Sequence, residues 1–304
     1  MATEIERERF KTNPNRFIEE TIKQYVATSP GNRFQAFNNE PIWDEPLVGL
    51  ADGDDPLFQD YKEIIGDFHL TPREALQQAT ESRRHNTNTG TTNISVISWV
   101  LPSTRETRLS LRRETTVPSL RWNHTRWYGQ DFIFELSRHL VSRLEELGCQ
   151  ALAPELSGPF RTMNLANGLA STWSQRHIAY AAGLGTFSLS DGFITPKGIA
   201  IRAGSVVCDA VLSPTPRTYR NHRDNCIFYR GGSCRRCIER CPAGAITEQG
   251  HDKNRCREFL FNEQRAIMKE MGREEGYTGS YLGCGLCQTK VPCEDRIPPL
   301  PETG

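Results

Sequence analysis

No stretch of this chain is apolar over the roughly 20 residues that a membrane-spanning helix requires. Neither sign of charge dominates: lysine plus arginine number 37 and aspartate plus glutamate 37, so the formal net charge is zero. A general nucleic-acid binder carries a basic surplus, so only a local basic patch is left for that role. The charged N-terminus lacks the apolar core of a secretory signal, and the pair Arg83-Arg84 lies far inside the chain. These absences lead us to expect a cytoplasmic protein with no membrane partner. Hydrophobic residues make up 37% of the 304 positions, enough for one large domain or two smaller ones. Cysteine is plentiful instead. There are ten, and eight fall within residues 226–293. Disulfide scaffolds belong to small secreted chains, so these eight point to a local metal site.

The pattern along the chain predicts a helix over 12–27, stopped by Ser29-Pro30-Gly31. Residues 28–55 are rich in Asn, Asp, Pro and Gly and read as a surface wrap, followed by a short helix over 58–65. Thr71-Pro72-Arg73-Glu74 is a capping box with proline at the first helical position, so a helix starts there. The polar stretch 83–93 reads as a loop and 94–101 as a core strand. From Asp131, the positions Ile133, Leu136, Leu140, Leu144 and Leu147 mark one helix face that Gly148 ends. A strand over 149–153, a helix over 173–182 and a strand over 199–212 complete a layered α/β or α+β pattern. A helix over 257–271 stands among Cys-rich loops. The expected division is an N-terminal helical and loop extension (1–90), an α/β domain (91–215), a metal-clustered domain (216–297) and a tail (298–304). The last five residues, Leu300-Pro301-Glu302-Thr303-Gly304, match a sortase recognition site without a following hydrophobic anchor. They are set aside as an expression remnant or chance.

The core motif is Cys234-x2-Cys237-x3-Cys241-Pro242, the shape used by bacterial ferredoxins together with one upstream cysteine. Two cysteines with two residues between them curl a loop around one iron–sulfur cube, and the cysteine before proline points toward a second. Cys226 is the upstream residue, set further away by an insertion containing Tyr229-Arg230-Gly231-Gly232. The second group is Cys284-x2-Cys287-x5-Cys293, preceded by Cys256. The two-cluster rule then gives Cys226, Cys234, Cys237 and Cys293 to one [4Fe–4S] cluster, and Cys241, Cys256, Cys284 and Cys287 to the other. Eight ligands fill two sites with none left over. A four-cysteine zinc site from the two Cys-x2-Cys pairs is the rival, and it strands Cys241 and Cys256. Cys149 and Cys208 lie in apolar runs and read as buried structural thiols.

Upstream, Ser174-Gln175-Arg176-His177-Ile178-Ala179-Tyr180-Ala181-Ala182-Gly183-Leu184-Gly185 resembles the AGLG segment of epoxyqueuosine reductases and corrinoid reductive dehalogenases. Phe193-Ile194-Thr195-Pro196-Lys197-Gly198, then Ile201-Arg202-Ala203-Gly204-Ser205, is similar to the strand pair that follows in that family. Trp127-Tyr128-Gly129-Gln130-Asp131-Phe132 is similar to its GRDYH segment, and Gly283-Cys284-Gly285-Leu286-Cys287-Gln288 continues the likeness, which spans roughly 120–293. The resemblance implies an α+β fold in which a nitroreductase-like α/β domain precedes a two-cluster ferredoxin-like domain, with base-off cobalamin between them. It implies an oxidoreductase in which electrons from an external low-potential donor of ferredoxin or flavodoxin type pass through the clusters to cobalt. Gly183, Leu184 and Gly185 would then let backbone approach the corrin, and Thr195, Arg202 and Ser205 would bond its amides or phosphate.

This chain departs from the family in several places. Where epoxyqueuosine reductases carry a catalytic aspartate, it reads Gly168-Leu169-Ala170. Ile133 stands for the histidine of GRDYH, and Val291-Pro292-Cys293-Glu294 replaces a CPWN motif. These departures favour reductive cleavage or deoxygenation of a small organic substrate over epoxyqueuosine in tRNA. A corrin-free two-cluster electron carrier is the third reading. Tyr180 and His177, three apart on one helix, are the expected proton donors with Arg176 beside them. The competing roles are core packing for Tyr180, a structural hydrogen bond for His177 and a solvated surface for Arg176. Glu155, near a strand end, is a more distant acid candidate.

Overall fold

The computed structural model describes residues 1–82 and 93–299. The predicted loop therefore lies outside the described residues except for Asn93, and so does the Leu300–Gly304 motif. In chain order the elements are α1 (Glu4–Thr12), α2 (Pro14–Thr28), β1 (Leu47–Asp52), α3 (Leu57–Ile64), α4 (Pro72–Ser82), β2 (Ser95–Pro102), α5 (Arg105–Arg112) and α6 (Leu120–Glu146). Then come β3 (Ala151–Leu152), β4 (Thr162–Leu165), β5 (Gly168–Ser171), α7 (Gln175–Ala181), β6 (Thr186–Phe187), β7 (Phe193–Ile194) and β8 (Ile201–Cys208). The last part holds α8 (Ile227–Gly231), α9 (Arg236–Glu239), β9 (Ile246–Thr247), β10 (Gly250–His251), α10 (Lys253–Glu258) and α11 (Gln264–Glu270).

The main sheet has the order β1-β2-β8-β3, antiparallel throughout. Every residue of β2 is buried because helices cover both faces of the sheet, so apolar side chains stand on both sides of the strand. Its two serines are satisfied by backbone, Ser95 Oγ donating to the Ala210 carbonyl at 2.7 Å and Ser98 Oγ to the Gly204 carbonyl at 3.3 Å. Strand alternation sends Ile97, Trp99 and Leu101 toward α2 and α6, where they meet Ile18, Ile22, Phe132, Leu136 and Leu140. Val96 and Val100 face the other way, toward Phe58, Tyr61, Leu76 and Ile178. Each such aliphatic side chain contributes about 1.5–3 kcal/mol on burial. The capping box of α4 forms as expected: Thr71 Oγ1 accepts from the Glu74 amide, and Glu74 Oε2 accepts from the Thr71 amide at 2.9 Å.

Three expectations are corrected. Residues 1–90 are not an extension, because β1 pairs with β2 along its full length and α2 lies in the same core as α6. Residues 28–55 are not a surface wrap either: Phe34, Ile42 and Trp43 are buried in that same core, and β1 begins at Leu47. The helix expected from Asp131 begins at Leu120, where Ser119 Oγ accepts from the Trp122 amide at 3.2 Å. The helix expected over 257–271 starts at Lys253 and passes through a π turn, Phe259–Glu263, before α11. The mixture of helix and sheet matches the α+β expectation.

A cysteine-lined pair of cavities and the adjoining cleft

The early half of α6 holds the metal-clustered part of the chain in position. Asn123 is fully buried and donates from Nδ2 to the carbonyls of Thr278 and Leu282, both at 3.0 Å, while its Oδ1 accepts from the Thr278 amide at 2.9 Å. Trp127 Nε1 donates to the Tyr281 carbonyl at 2.9 Å. Gly285 has φ +64, and a Cβ there would run into the Trp122 indole, so the loop lies flat on α6 only with glycine at that position. Arg240 donates to the carbonyls of Glu114, Leu286 and Thr289, tying α9 to the α5–α6 connection.

The chain gathers the cysteines in two foursomes. Cys226, Cys234, Cys237 and Cys293 line one small cavity, with Leu189, Ile194, Ile199 and Val291 around it. Burial pushes the Cys237 thiol up to about 12, with Cys226 and Cys234 adding to the shift. The Cys293 thiol is raised too, by burial and then by the other three. Cys241, Cys256, Cys284 and Cys287 all line a second and larger space. Burial raises Cys284 to about 12 against the Leu286 amide, with Cys256 and Cys241 adding to the rise. Burial also raises Cys287 well above its ordinary value, with Cys284, Cys256 and Cys241 next. Buried thiols crowded in this way keep their protons until a cation displaces them. Each foursome lines a space of its own. The Ala245 amide donates to Cys241 Sγ at 3.3 Å, a contact that tunes the electronics of a cluster sulfur ligand.

The larger space is a cleft of about 540 Å³ between the α/β layers and the cysteine-rich part. That falls within the usual size of a ligand site. Trp122, Phe193, Ile201 and Leu260 supply apolar wall. Arg126, Arg176 and Arg202 all face the cleft, and none enters an ion pair found among the described residues. Burial and then Arg126 lower the pKa of Arg202. Arg176 is accessible from the cleft but enclosed by protein elsewhere, and that enclosure lowers its pKa as well. The cleft is therefore a positive environment that suits an anionic group.

One carboxyl shares it. Glu155, on the 3₁₀ turn that follows β3, lines the cleft, and burial raises its pKa while Gln175, Arg202 and Arg126 pull the other way. A hydrogen-bond chain holds it. Trp173 Nε1 donates to Ser205 Oγ at 2.9 Å, Ser205 Oγ donates to Gln175 Oε1 at 2.7 Å, and Gln175 Nε2 donates to Glu155 Oε2 at 2.9 Å. Because Ser205 fixes the amide orientation, Oε2 is always the acceptor and any proton on this carboxyl sits on Oε1.

The residues predicted from sequence divide here. Arg176 and Arg202 line the cleft, and Ser205 stands one bond behind it. His177 and Tyr180 do not line it. The His177 ring packs on Tyr61 and Phe187, and Ser174 Oγ lies 2.8 Å from its Nδ1. Burial and then Arg176 depress His177 to about 3, so it carries no imidazolium proton at neutral pH. Tyr180 stacks on Tyr219. Gly183 and Gly185 abut the carbonyls of Pro216 and Ile194, Leu184 is buried, and Thr195 Oγ1 donates to the Gly198 carbonyl within a turn. Glu155, the distant acid candidate, lines the cleft, as do Gln175 and Arg126, which sequence reasoning did not single out.

Residues 230–293 match the family described as a 4Fe-4S double cluster binding domain. That match begins after Cys226, which the fold nonetheless brings to the first cavity. Over 121 residues the chain is 30% identical to an epoxyqueuosine reductase of Bacillus anthracis, covering 39% of this chain and 29% of the relative. Over 127 residues it is 29% identical to an epoxyqueuosine reductase of Synechocystis, covering 41% and 39%. The chain thus spans well under half the length of the curated relatives it matches. Among solved structures, an epoxyqueuosine reductase with an epoxyqueuosine-modified tRNA stem loop superposes at TM-score 0.46 and 16% identity, over 91% of this chain and 65% of that one. The Bacillus subtilis enzyme superposes at TM-score 0.41, over 83% and 63%.

Proposed function

Starting from a chain that is a relative of the epoxyqueuosine reductases, we propose that it is an iron–sulfur reductase that deoxygenates an epoxide of the epoxyqueuosine kind. The observation that carries this reading is the shared cleft, where four thiols of one foursome and the raised carboxyl of Glu155 face the same space. In this reading Cys241, Cys256, Cys284 and Cys287 hold the [4Fe–4S] cluster beside the cleft, and Cys226, Cys234, Cys237 and Cys293 hold the outer one. Removing an epoxide oxygen as water takes two electrons and two protons. Glu155 supplies one proton and solvent water the other, while the Gln175 amide holds the carboxyl through its Oε2. Arg126 and Arg176 bind the substrate's phosphate charge.

The name of the curated relatives favours this substrate over the small organic molecule expected from sequence, and reductive dehalogenation has no support beyond the earlier likeness. Base-off cobalamin is the cofactor proposed for the cleft. When bound, such a group supplies a two-electron reductant at cobalt. The lining suits it: apolar wall for a flat ring, Thr125, Gln130 and Ser174 for an amide fringe, and Arg202 for its phosphate. A nitroreductase-like description of the α/β layers belongs to the same proposal.

One observation favours a small substrate as the second reading. The β4–β5 hairpin bridges the walls of the cleft, with Asn254 Nδ2 donating to the Ala166 carbonyl and Arg257 to Asn164 Oδ1, and the flanking Phe160 and Ser171 line the space. The deciding experiment is anaerobic incubation of the cobalamin-loaded, reduced protein with an epoxyqueuosine-bearing tRNA stem loop. Conversion to queuosine is expected. Intact substrate beside fully reduced clusters would remove the tRNA reading.

A further inference from the structure

A chain with no net charge concentrates positive charge around its first cavity. Residues 217–240 hold seven arginines against two acids, and Cys226, Cys234 and Cys237 lie among them. Three of these arginines are spent on ion pairs: Arg217 with Asp55, Arg235 with Glu248 and Arg236 with Glu239. Arg240 is spent on backbone carbonyls. Arg220, Arg223 and Arg230 remain, all exposed and in none of the ion pairs found among the described residues.

Arg223 and Arg230 stand on either side of Tyr229 in the chain, and the Arg220 amide donates to Asp224 Oδ2, next to Arg223, at 2.9 Å. The Arg223 guanidinium lies 4.2 Å from the centre of the Tyr229 ring. Tyr229 packs on the core that encloses the first foursome, beside Cys226 and Cys237, and its amide donates to the Cys226 carbonyl at 3.1 Å. Arg230 is on α8, the helix that Cys226 caps. After it, Gly231, Gly232 and Ser233 are exposed, and Cys234 is only half-buried. The first foursome thus comes nearest to solvent under a positive, aromatic-backed patch, while the second opens on the cleft.

We propose that the surface formed by Arg220, Arg223, Arg230 and Tyr229 is the docking site for a small acidic one-electron carrier protein, which reduces the outer cluster. The inference rests on the iron–sulfur reading above. In each transfer the reduced carrier gives one electron to the oxidised cluster, and no bond is made or broken. A tRNA contact would need charge but no aromatic path to a thiol, so the carrier is the better occupant.

The test mixes oxidised, cluster-loaded protein with an acidic flavodoxin in its hydroquinone form and follows cluster bleaching by stopped flow, with dithionite as the small-molecule control that needs no docked protein surface. At low salt, R223E/R230E is expected to be reduced about tenfold or more slowly by flavodoxin than wild type, and equally fast by dithionite. The wild-type flavodoxin rate is expected to fall steeply as salt rises through about 0.1 M, where the Debye length is about 10 Å. R223Q/R230Q should give an intermediate rate. Equal flavodoxin rates for wild type and R223E/R230E, or a wild-type rate indifferent to salt, would overturn the docking site while leaving the clusters standing. Loss of tRNA stem-loop binding with unchanged flavodoxin rates would reassign the patch to RNA and overturn it too. No bleaching by dithionite would remove the clusters and this proposal together.

Discussion

Replacing Asn123 by alanine removes three hydrogen bonds at once from the contact between α6 and the loop that leads into Cys284 and Cys287. Asn123 is fully buried, so water cannot substitute. Each bond is worth about 0.5–1.5 kcal/mol net, and stranding the Thr278 amide and the Leu282 carbonyl takes the cost to the top of that range. The sum is about 4–5 kcal/mol, a large part of the 5–15 kcal/mol that stabilises a typical domain. The loss should not be spread evenly. Cys226, Cys234 and Cys237 come from a segment that Asn123 does not touch, whereas Cys284 and Cys287 follow directly from the loosened loop. Iron and sulfide analysis of anaerobic N123A protein is therefore expected to show loss from the cleft-side foursome first. Thermal unfolding should drop by several degrees. Wild-type iron content together with a wild-type unfolding temperature would refute the argument that α6 holds this cluster loop.

Other predictions follow from the same geometry. E155Q should lower turnover about hundredfold or more with cluster content unchanged, and the wild-type rate should fall as pH rises through the raised pKa of that carboxyl; undiminished turnover in E155Q would return the proton-donor role to another group. His69 and His177 are depressed to about 4 and about 3, mainly by burial. Their contribution to stability is complete above about pH 6.5 and is lost as pH falls toward those values, because the unfolded chain takes up protons that the folded one refuses. A denaturant midpoint that stays level from pH 7 to pH 4 would contradict that. C149A should keep its full iron content, since Cys149 packs against the main core, away from both foursomes; iron loss in this variant would show that a ligand has been misassigned.

Much of the fold was legible where a residue's role is local. The β-branched and aromatic residues of 94–101 announced β2 as a core strand, and Thr71-Pro72-Arg73-Glu74 announced the start of α4. The cysteine spacing suggested the same two foursomes that the chain gathers. The beginning of α6 was not legible because Trp122, Asn123, Arg126 and Trp127 face the cluster-bearing part rather than the sheet, so no apolar stripe marks them. β1 was missed because its short Leu47–Asp52 run, interrupted by Gly49, follows a polar stretch that hides it. The cleft was harder still. His177 and Tyr180 attracted attention by spacing on one helix, but the cleft receives the opposite flank, with Arg176, Gln175 and Ser174. Glu155 comes to the same space from another segment, held by an amide that only the fold brings near. No spacing rule connects those positions.

The central claim is that two iron–sulfur cubes fill the two foursomes. The most direct measurement is combined iron, sulfide and zinc analysis of protein prepared without oxygen, alongside a C284S variant. The account predicts iron and sulfide for two [4Fe–4S] clusters in the wild type, with no stoichiometric zinc, and a clear fall in both in C284S. A colourless wild type holding zinc and no sulfide would contradict it.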